Sequence, residues 1–253
     1  MLEIISKSAQ ASGAFNGGQI VENKPIGFPQ DGGKLKPYSS LFYWARAISN
    51  SESTLPLHPH RGFEIMSFVL EGKIKHYDTA EKVWKTLEAG DAQVIQAGSG
   101  IEHSEHMHEG AMMFQIWLDP DYAKSREMAA SYKDYLKADF PSQEKAEGMY
   151  TTYVGESSPF KLLSPGISIF KLNANGIPFS WQPEDGEMYS CYVIKGEGQI
   201  NGEAFHGDDF IKLEGGPFDV VCKAGTELFV IASPLQLDYP SYQEFMQAQF
   251  RNR

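Results

Sequence analysis

Cysteine is scarce in this chain: Cys191 and Cys222 are the only two among 253 residues. A zinc knuckle or a thioredoxin-type centre needs cysteines in close pairs, so both are excluded. The two cysteines lie in apolar, strand-like stretches and are expected as buried, reduced core thiols. Long hydrophobic runs are missing as well. No apolar stretch reaches 18 residues, and the first ten residues carry no apolar leader core. The expectation is a soluble, cytoplasmic protein with no membrane partner. Basic runs are also absent. Lys and Arg total 22 against 33 Asp and Glu, a net charge of −11. Such a field repels phosphate backbones and argues against direct nucleic-acid binding. There is no HExxH, GxSxG, P-loop or GxGxxG pattern, which removes most hydrolase and nucleotide-binding readings.

What the chain has in quantity is punctuation and aromatic residues: 24 Gly, 14 Pro and 13% Phe, Trp and Tyr. That composition predicts many short strands joined by turns, an all-β architecture. Residues 1–50 read as mostly irregular, with a β-prone aromatic stretch from Ser39 to Ile48. Short strands are expected at Glu64–Leu70, Lys73–Tyr77, Ala92–Ala97 and Ala111–Leu118. Asp121 to Phe140 reads as one or two helices in a linker, and the tail from Ser241 to Phe250 as a short terminal helix. Two domains follow, 1–145 and 146–253.

The halves resemble a degraded repeat. His58 to Gly62 and Val69 to Gly72 lie on Gln182 to Gly186 and Val193 to Gly196 at an offset of 124, and Gly90-Asp91 lies on Gly207-Asp208 at 117. On this overlay His58 and His60 become Gln182 and Glu184, while His103 and Glu105 become Val220 and Cys222. The second half is expected to be a degenerate domain without metal ligands.

His58-Pro59-His60 carries the chemistry. Residues two apart on a strand share a face, roughly 6–7 Å apart along it. Pro59 cannot donate a ladder hydrogen bond, so the pair belongs at a sheet edge or strand start. His103-Ser104-Glu105 repeats the parity argument, and Gly98-Ser99-Gly100 ahead of it permits the turn that brings the two strands together. Three imidazoles and one carboxylate suit one divalent ion: Fe, Mn, Ni, Cu or Zn. An octahedral ion with four protein ligands keeps two open positions, whereas a structural zinc site is closed by four ligands. Glu64 lies roughly 13 Å along a straight strand from His60 and is expected as a pocket carboxylate or a hydrogen-bond acceptor for a ligand imidazole. His106 and His108, of opposite parity, are expected in an exposed loop, with a proton-shuttle role as the alternative. His76 and His206 are expected on solvated hairpins.

With these residues in hand, the first half resembles the pirin family. His58-Pro-His-Arg-Gly-Phe-Glu64, Val69-Leu-Glu-Gly72, Gly90-Asp91 and Ala97-Gly-Ser-Gly-Ile-Glu-His-Ser-Glu105 match its N-terminal signature in order and spacing, and Gln115-Ile-Trp117 fits the strand that follows. The resemblance covers roughly residues 40–120. It implies a bicupin, two cupin-like β-barrels, with one iron(II) held by His58, His60, His103 and Glu105. Gln96 departs from the wider cupin pattern, which has proline there, and extra residues separate Gly98 from His103.

Two functions are implied by that resemblance. One is an iron-dependent dioxygenase acting with dioxygen on a small aromatic, flavonol-like substrate of the quercetin type, with Glu105 as both ligand and general base. Phe63 or Met112–Phe114 are expected to wall its pocket against water. The other is a non-enzymatic, redox-sensing module that binds a protein partner such as a transcription regulator. An isomerase or a small-molecule sensor is a third expectation.

Overall fold

The computed structural model describes residues 1–251. Among them, strands dominate, and the helical content is confined to a single turn, Tyr122–Ser125, a terminal helix, Tyr242–Arg251, and three 3-10 turns. The all-β expectation holds. Every ladder between named strands is antiparallel.

The chain forms two compact units. One comprises residues 10–137, 162–165 and 237–253; the other comprises residues 1–9, 138–161 and 166–236. Both chain ends thus belong with the unit distant in sequence, which a single cut near residue 145 does not describe. The N-terminal strand Leu2–Ile5 pairs with Phe210–Glu214. Each unit is built from one seven-stranded and one four-stranded sheet, neither closed on itself.

In the histidine-bearing unit an apolar cluster draws Ile20, Val69 and Met113 from the large sheet and Ile74, Leu87 and Met107 from the small one. The core therefore lies between the sheets, as alternation along each strand requires. The other unit repeats this with Cys191, Ile211 and Val230 against Phe205, Val220 and Cys222. Both cysteines are free and buried, as expected, and burial pushes the Cys222 thiol up to about 11.

Three local readings are corrected. Residues 1–50 are not irregular: Leu2–Ile5, Ala11–Phe15, Ile20–Ile26 and Leu41–Ser49 are strands. Asp121 to Phe140 keeps one helical turn and then becomes the strand Ser131–Tyr135 on the exposed edge of Ala92–Gln96. Sheet pairing overrides helix propensity there. Gln182 and Glu184 are exposed and follow the strand Phe179–Trp181, so they do not stand where the overlay put them. Phe179 and Trp181 pair instead with Val220 and Phe218. The terminal helix does form, closed at its start by a capping box in which Ser241 and Glu244 exchange hydrogen bonds.

Glu64 anchors a distant piece of chain to the histidine-bearing unit. Its carboxylate is buried and accepts from the Leu163 and Ser164 backbone N–H groups and from the Ser164 hydroxyl at 2.7 Å. Burial pushes its carboxyl up, and these donations oppose that shift. Glu64→Ala strands the donors, and a buried charged network broken on one side costs about 3 kcal/mol. The expected loss in thermal midpoint is roughly 6–12 °C, read by calorimetry; a midpoint within a degree of wild type contradicts this role.

Candidate metal centre and its pocket

The strand Ser53–His60 is the edge of its four-stranded sheet, as Pro59 requires, and pairs with Ile101–Met107. His58 stands opposite His103, and His60 opposite Ile101. The turn that feeds the second strand depends on Gly98, whose φ is +50°; a Cβ there would lie 2.6 Å from the Met128 carbonyl oxygen. The three imidazoles converge. Their ring centroids lie 4.4 to 4.8 Å apart, and one ring nitrogen from each falls within 4.8 Å of the others. The Nε2 atoms of His60 and His103 are 2.8 Å apart.

A β-bulge sets the orientation of His58. Between His103 and Glu105 the ladder slips, so that Glu105 faces Leu55 and the edge strand carries an extra residue around Pro56. Proline has no N–H to lose from the ladder. The Pro56 carbonyl accepts from His58 Nδ1 at 2.8 Å. That contact holds a proton on Nδ1 and leaves Nε2 as the nitrogen available to a metal.

Burial decides the charge states. It pushes His60 down to about 3, with His58 adding to the shift. It pushes His103 further down, with His60, His58 and His76 contributing. Both are neutral at pH 7, the form that ligates metal. Burial pushes the Glu105 carboxyl up to about 7, and a hydrogen bond from Gln115 opposes this. Gln115 Nε2 donates to Glu105 Oε1 at 2.7 Å, and Trp117 Nε1 donates to Gln115 Oε1 at 3.2 Å, which fixes the amide. Glu105 Oε2 is buried with no hydrogen-bond partner, as is His103 Nδ1. Two facing imidazole nitrogens and, on the same strand pair, a buried carboxylate oxygen without a partner are donors that fit a divalent metal. Glu105 lies outside the tight group of three ring nitrogens and lines one cavity with His58 and His60.

That cavity, about 400 Å³, lies between the two sheets of the unit. His58, His60 and Glu105 meet Phe28, Tyr43 and Trp117 on its walls. The Trp117 indole stands edge-on to His60 at 4.8 Å, and Phe28 stacks on Tyr43 at 4.6 Å. Glu22 also lines it, accepting from the Tyr43 hydroxyl at 3.1 Å with Lys24 3.4 Å away.

Several expectations about neighbouring residues are corrected. Glu64 neither lines this cavity nor receives a ligand imidazole, because its oxygens are taken by Leu163 and Ser164. His76 is not solvated: it is buried, stacked on Tyr132 at 4.5 Å, and lies 5.3 Å from the His103 ring. Burial pushes it down to about 4. His106 lies in the strand Ile101–Met107, half-buried, and His108 just beyond its end. Phe63 packs on Phe42 and Phe114 on Trp44, away from the cavity, whereas Met113 does line it. His206 is exposed, as expected. Sequence reasoning missed Glu22, because its strand read as irregular. It also missed the action of Gln115 on Glu105, which parity along Met112–Leu118 could have raised.

Gln115→Leu removes the donation that lowers the Glu105 midpoint. In the metal-free chain that midpoint is expected to climb above about 7, read from the carboxyl ¹³C shift against pH. An unchanged midpoint contradicts the Trp117–Gln115–Glu105 relay.

Comparison with known proteins agrees with this architecture. Residues 33–118 match the family model described as Pirin. A Pseudomonas aeruginosa protein provisionally named quercetin 2,3-dioxygenase is 30% identical over 76% of this chain and 73% of its own length. A second protein of that organism, with the same provisional name, is 49% identical over only 27% of this chain and 30% of its own. Arabidopsis thaliana Pirin-1 is 30% identical over 74% of this chain and 66% of its own. Among solved structures, Escherichia coli YhhW, a bacterial pirin in complex with nickel(II), superposes with a TM-score of 0.75 at 18% identity, covering 92% of this chain and 99% of that one. A quercetin 2,3-dioxygenase of Acinetobacter baumannii gives 0.78 at 19%, covering 99% and 88%. Two-sheet units, a histidine ladder at a sheet edge and relatedness over three quarters of the sequence together place the chain in the pirin family.

Proposed function

We propose that this chain is a metal-dependent dioxygenase acting on a flat polyphenol of the flavonol type, with one iron(II) held by His58, His60, His103 and Glu105. The observation that carries this reading is the convergence of three imidazoles, two of which, His58 and His60, line an apolar, aromatic-walled cavity together with a carboxyl whose midpoint is raised to about 7. The names of the Pseudomonas and Acinetobacter proteins supply the substrate class. No helix among the described residues is long and apolar enough to cross a membrane.

A bound divalent ion supplies Lewis acidity that lowers the pKa of a coordinated hydroxyl, and an open-shell ion can also engage dioxygen. The chain does the rest. Trp117, Tyr43 and Phe28 offer ring faces and edges to a planar aromatic guest, and the cavity has the size usual for small ligands. Leu55, Met107 and Met113 exclude water from the same space. Glu105, the catalytic residue in this reading, would serve in turn as ligand and as acceptor of the hydroxyl proton through Oε2, the oxygen that Gln115 leaves free. A midpoint of about 7 suits an acceptor that must take a proton and return it. Glu22 gives the cavity a second carboxylate, on the large sheet, to receive another phenolic hydroxyl.

The protonation states set a pH dependence for metal binding. His60 and His103 are already neutral at pH 5 and do not compete with the ion. Glu105 must lose a proton, and its midpoint is raised to about 7. Displacement of the Glu105 proton is therefore expected to add about tenfold in affinity per pH unit up to that midpoint and nothing above it. Glu105→Gln should lose that part of the slope. A wild-type profile that is flat from pH 5 to 8 by calorimetry contradicts Glu105 as a ligand.

Turnover is tested by loading the chain anaerobically with iron(II), adding quercetin and admitting oxygen. The flavonol absorbance is expected to decay, and substitution of His58, His60, His103 or Glu105 by Ala to lower the rate at least a thousandfold, about 4 kcal/mol of barrier. Stable metal without turnover across a flavonol panel overturns the enzyme reading in favour of a binding module.

A further inference from the structure

The ladder that carries the inner histidines has a second set of donors on its outer face. His106 has opposite parity to His103 and Glu105 and pairs with Thr54, three positions further along the strand. Three residues of strand span roughly 10 Å. Glu52 immediately precedes one strand of the ladder, and His108 follows the other. Glu52 Oε1 lies 2.9 Å from His106 Nε2 and 3.5 Å from His108 Nδ1. The two imidazoles meet edge to face, with centroids 4.9 Å apart at 86°. The three donor atoms all lie within 4.8 Å of one another.

We infer that Glu52, His106 and His108 form a second divalent-metal site, outward-facing and distinct from the inner cluster, for a borderline ion such as Zn(II) or Ni(II). Two imidazoles and a carboxylate select these ions over Mg(II) and Ca(II), which take oxygen ligands. Three protein donors leave room for water in the fourth position of a tetrahedral zinc ion.

Two neighbouring contacts support the assignment. Thr54 Oγ1 lies 2.8 Å from His106 Nδ1. A hydroxyl accepting Nδ1–H there leaves the Nε2 lone pair for the ion, the outer partner that ligand imidazoles regularly have. His108 Nε2 is buried without a hydrogen-bond partner, so the ring is positioned by its Nδ1 side alone. An exposed Glu–His ion pair contributes little by itself, and it accounts for one imidazole on the Glu52 oxygen but not for two at right angles.

The consequence lies in the fold. An ion here clips the entrance of Ser53–His60 to the exit of Ile101–Met107, the two strands that hold His58, His60 and His103. Glu52 is exposed, so this ion exchanges with solution, whereas His103 of the inner cluster is fully buried.

Calorimetric titration of Zn(II) into the metal-free chain tests this directly. Wild type is expected to take two ions, His106→Ala/His108→Ala one, and His103→Ala one with the outer affinity retained. Thr54→Val should weaken the outer site by roughly tenfold or more. Zinc at a hundredfold excess over the outer dissociation constant should also raise the thermal midpoint of His103→Ala and leave that of a triple variant lacking His106 and His108 as well unmoved. The proposal is overturned if the His106/His108 variant binds as many ions as wild type. An unchanged stoichiometry on His103→Ala alone counts instead against the inner site.

Discussion

The register of one antiparallel ladder governs the rest of this molecule. Ser53–His60 and Ile101–Met107 meet with His58 opposite His103, and a slip of one residue would send every imidazole to the other face. The register is held by few contacts. The Ser104 hydroxyl donates to the Leu55 carbonyl at 2.6 Å, and the bulge at Pro56 absorbs the extra residue without an orphaned N–H. That bulge places the Pro56 carbonyl under His58, so a backbone irregularity becomes the device that chooses a tautomer.

The large sheet contributes electrostatics rather than ligands. Gln115 and Trp117, on the strand Met112–Leu118, form a relay ending on Glu105. Burial, with a smaller push from the Glu22 charge, drives the carboxyl upward, and the relay limits the rise, so the group rests at about 7. The same burial drives the imidazoles downward. The two shifts have one main cause and opposite signs: desolvation disfavours the charged form of the carboxyl and of the His60 and His103 imidazoles alike. Neutral His60 and His103 imidazoles and a carboxyl that takes up a proton near pH 7 limit the buried charge beside Phe28, Tyr43 and Trp117.

Much of this was legible in the chain. HxH and HxE motifs flanked by glycine announce paired faces, and Pro59 announces the edge, because strand parity and a missing N–H are local properties. The strands around the site follow the same logic. What was not legible depends on partners distant in sequence. His76 looks like any hairpin histidine until Tyr132 stacks on it. Glu64 shares parity with the ligands, but Leu163 and Ser164 claim it from about a hundred residues away. Ser131–Tyr135 has the composition of a helix and becomes a strand because Ala92–Gln96 offers an open edge. His106 and His108 were read through parity alone, which rightly turned them outward but gave no hint of Glu52 between them.

The central claim is that His58, His60, His103 and Glu105 bind one divalent ion inside the apolar cavity. Anomalous diffraction at the iron edge, from crystals of the chain loaded anaerobically with iron(II), tests it most directly. The account predicts one strong peak within the cavity, about 2.0–2.2 Å from a nitrogen of each of the three imidazoles and from Glu105 Oε2. A cavity without a peak, or a peak ligated by the imidazoles alone with both Glu105 oxygens out of bonding distance, would contradict it.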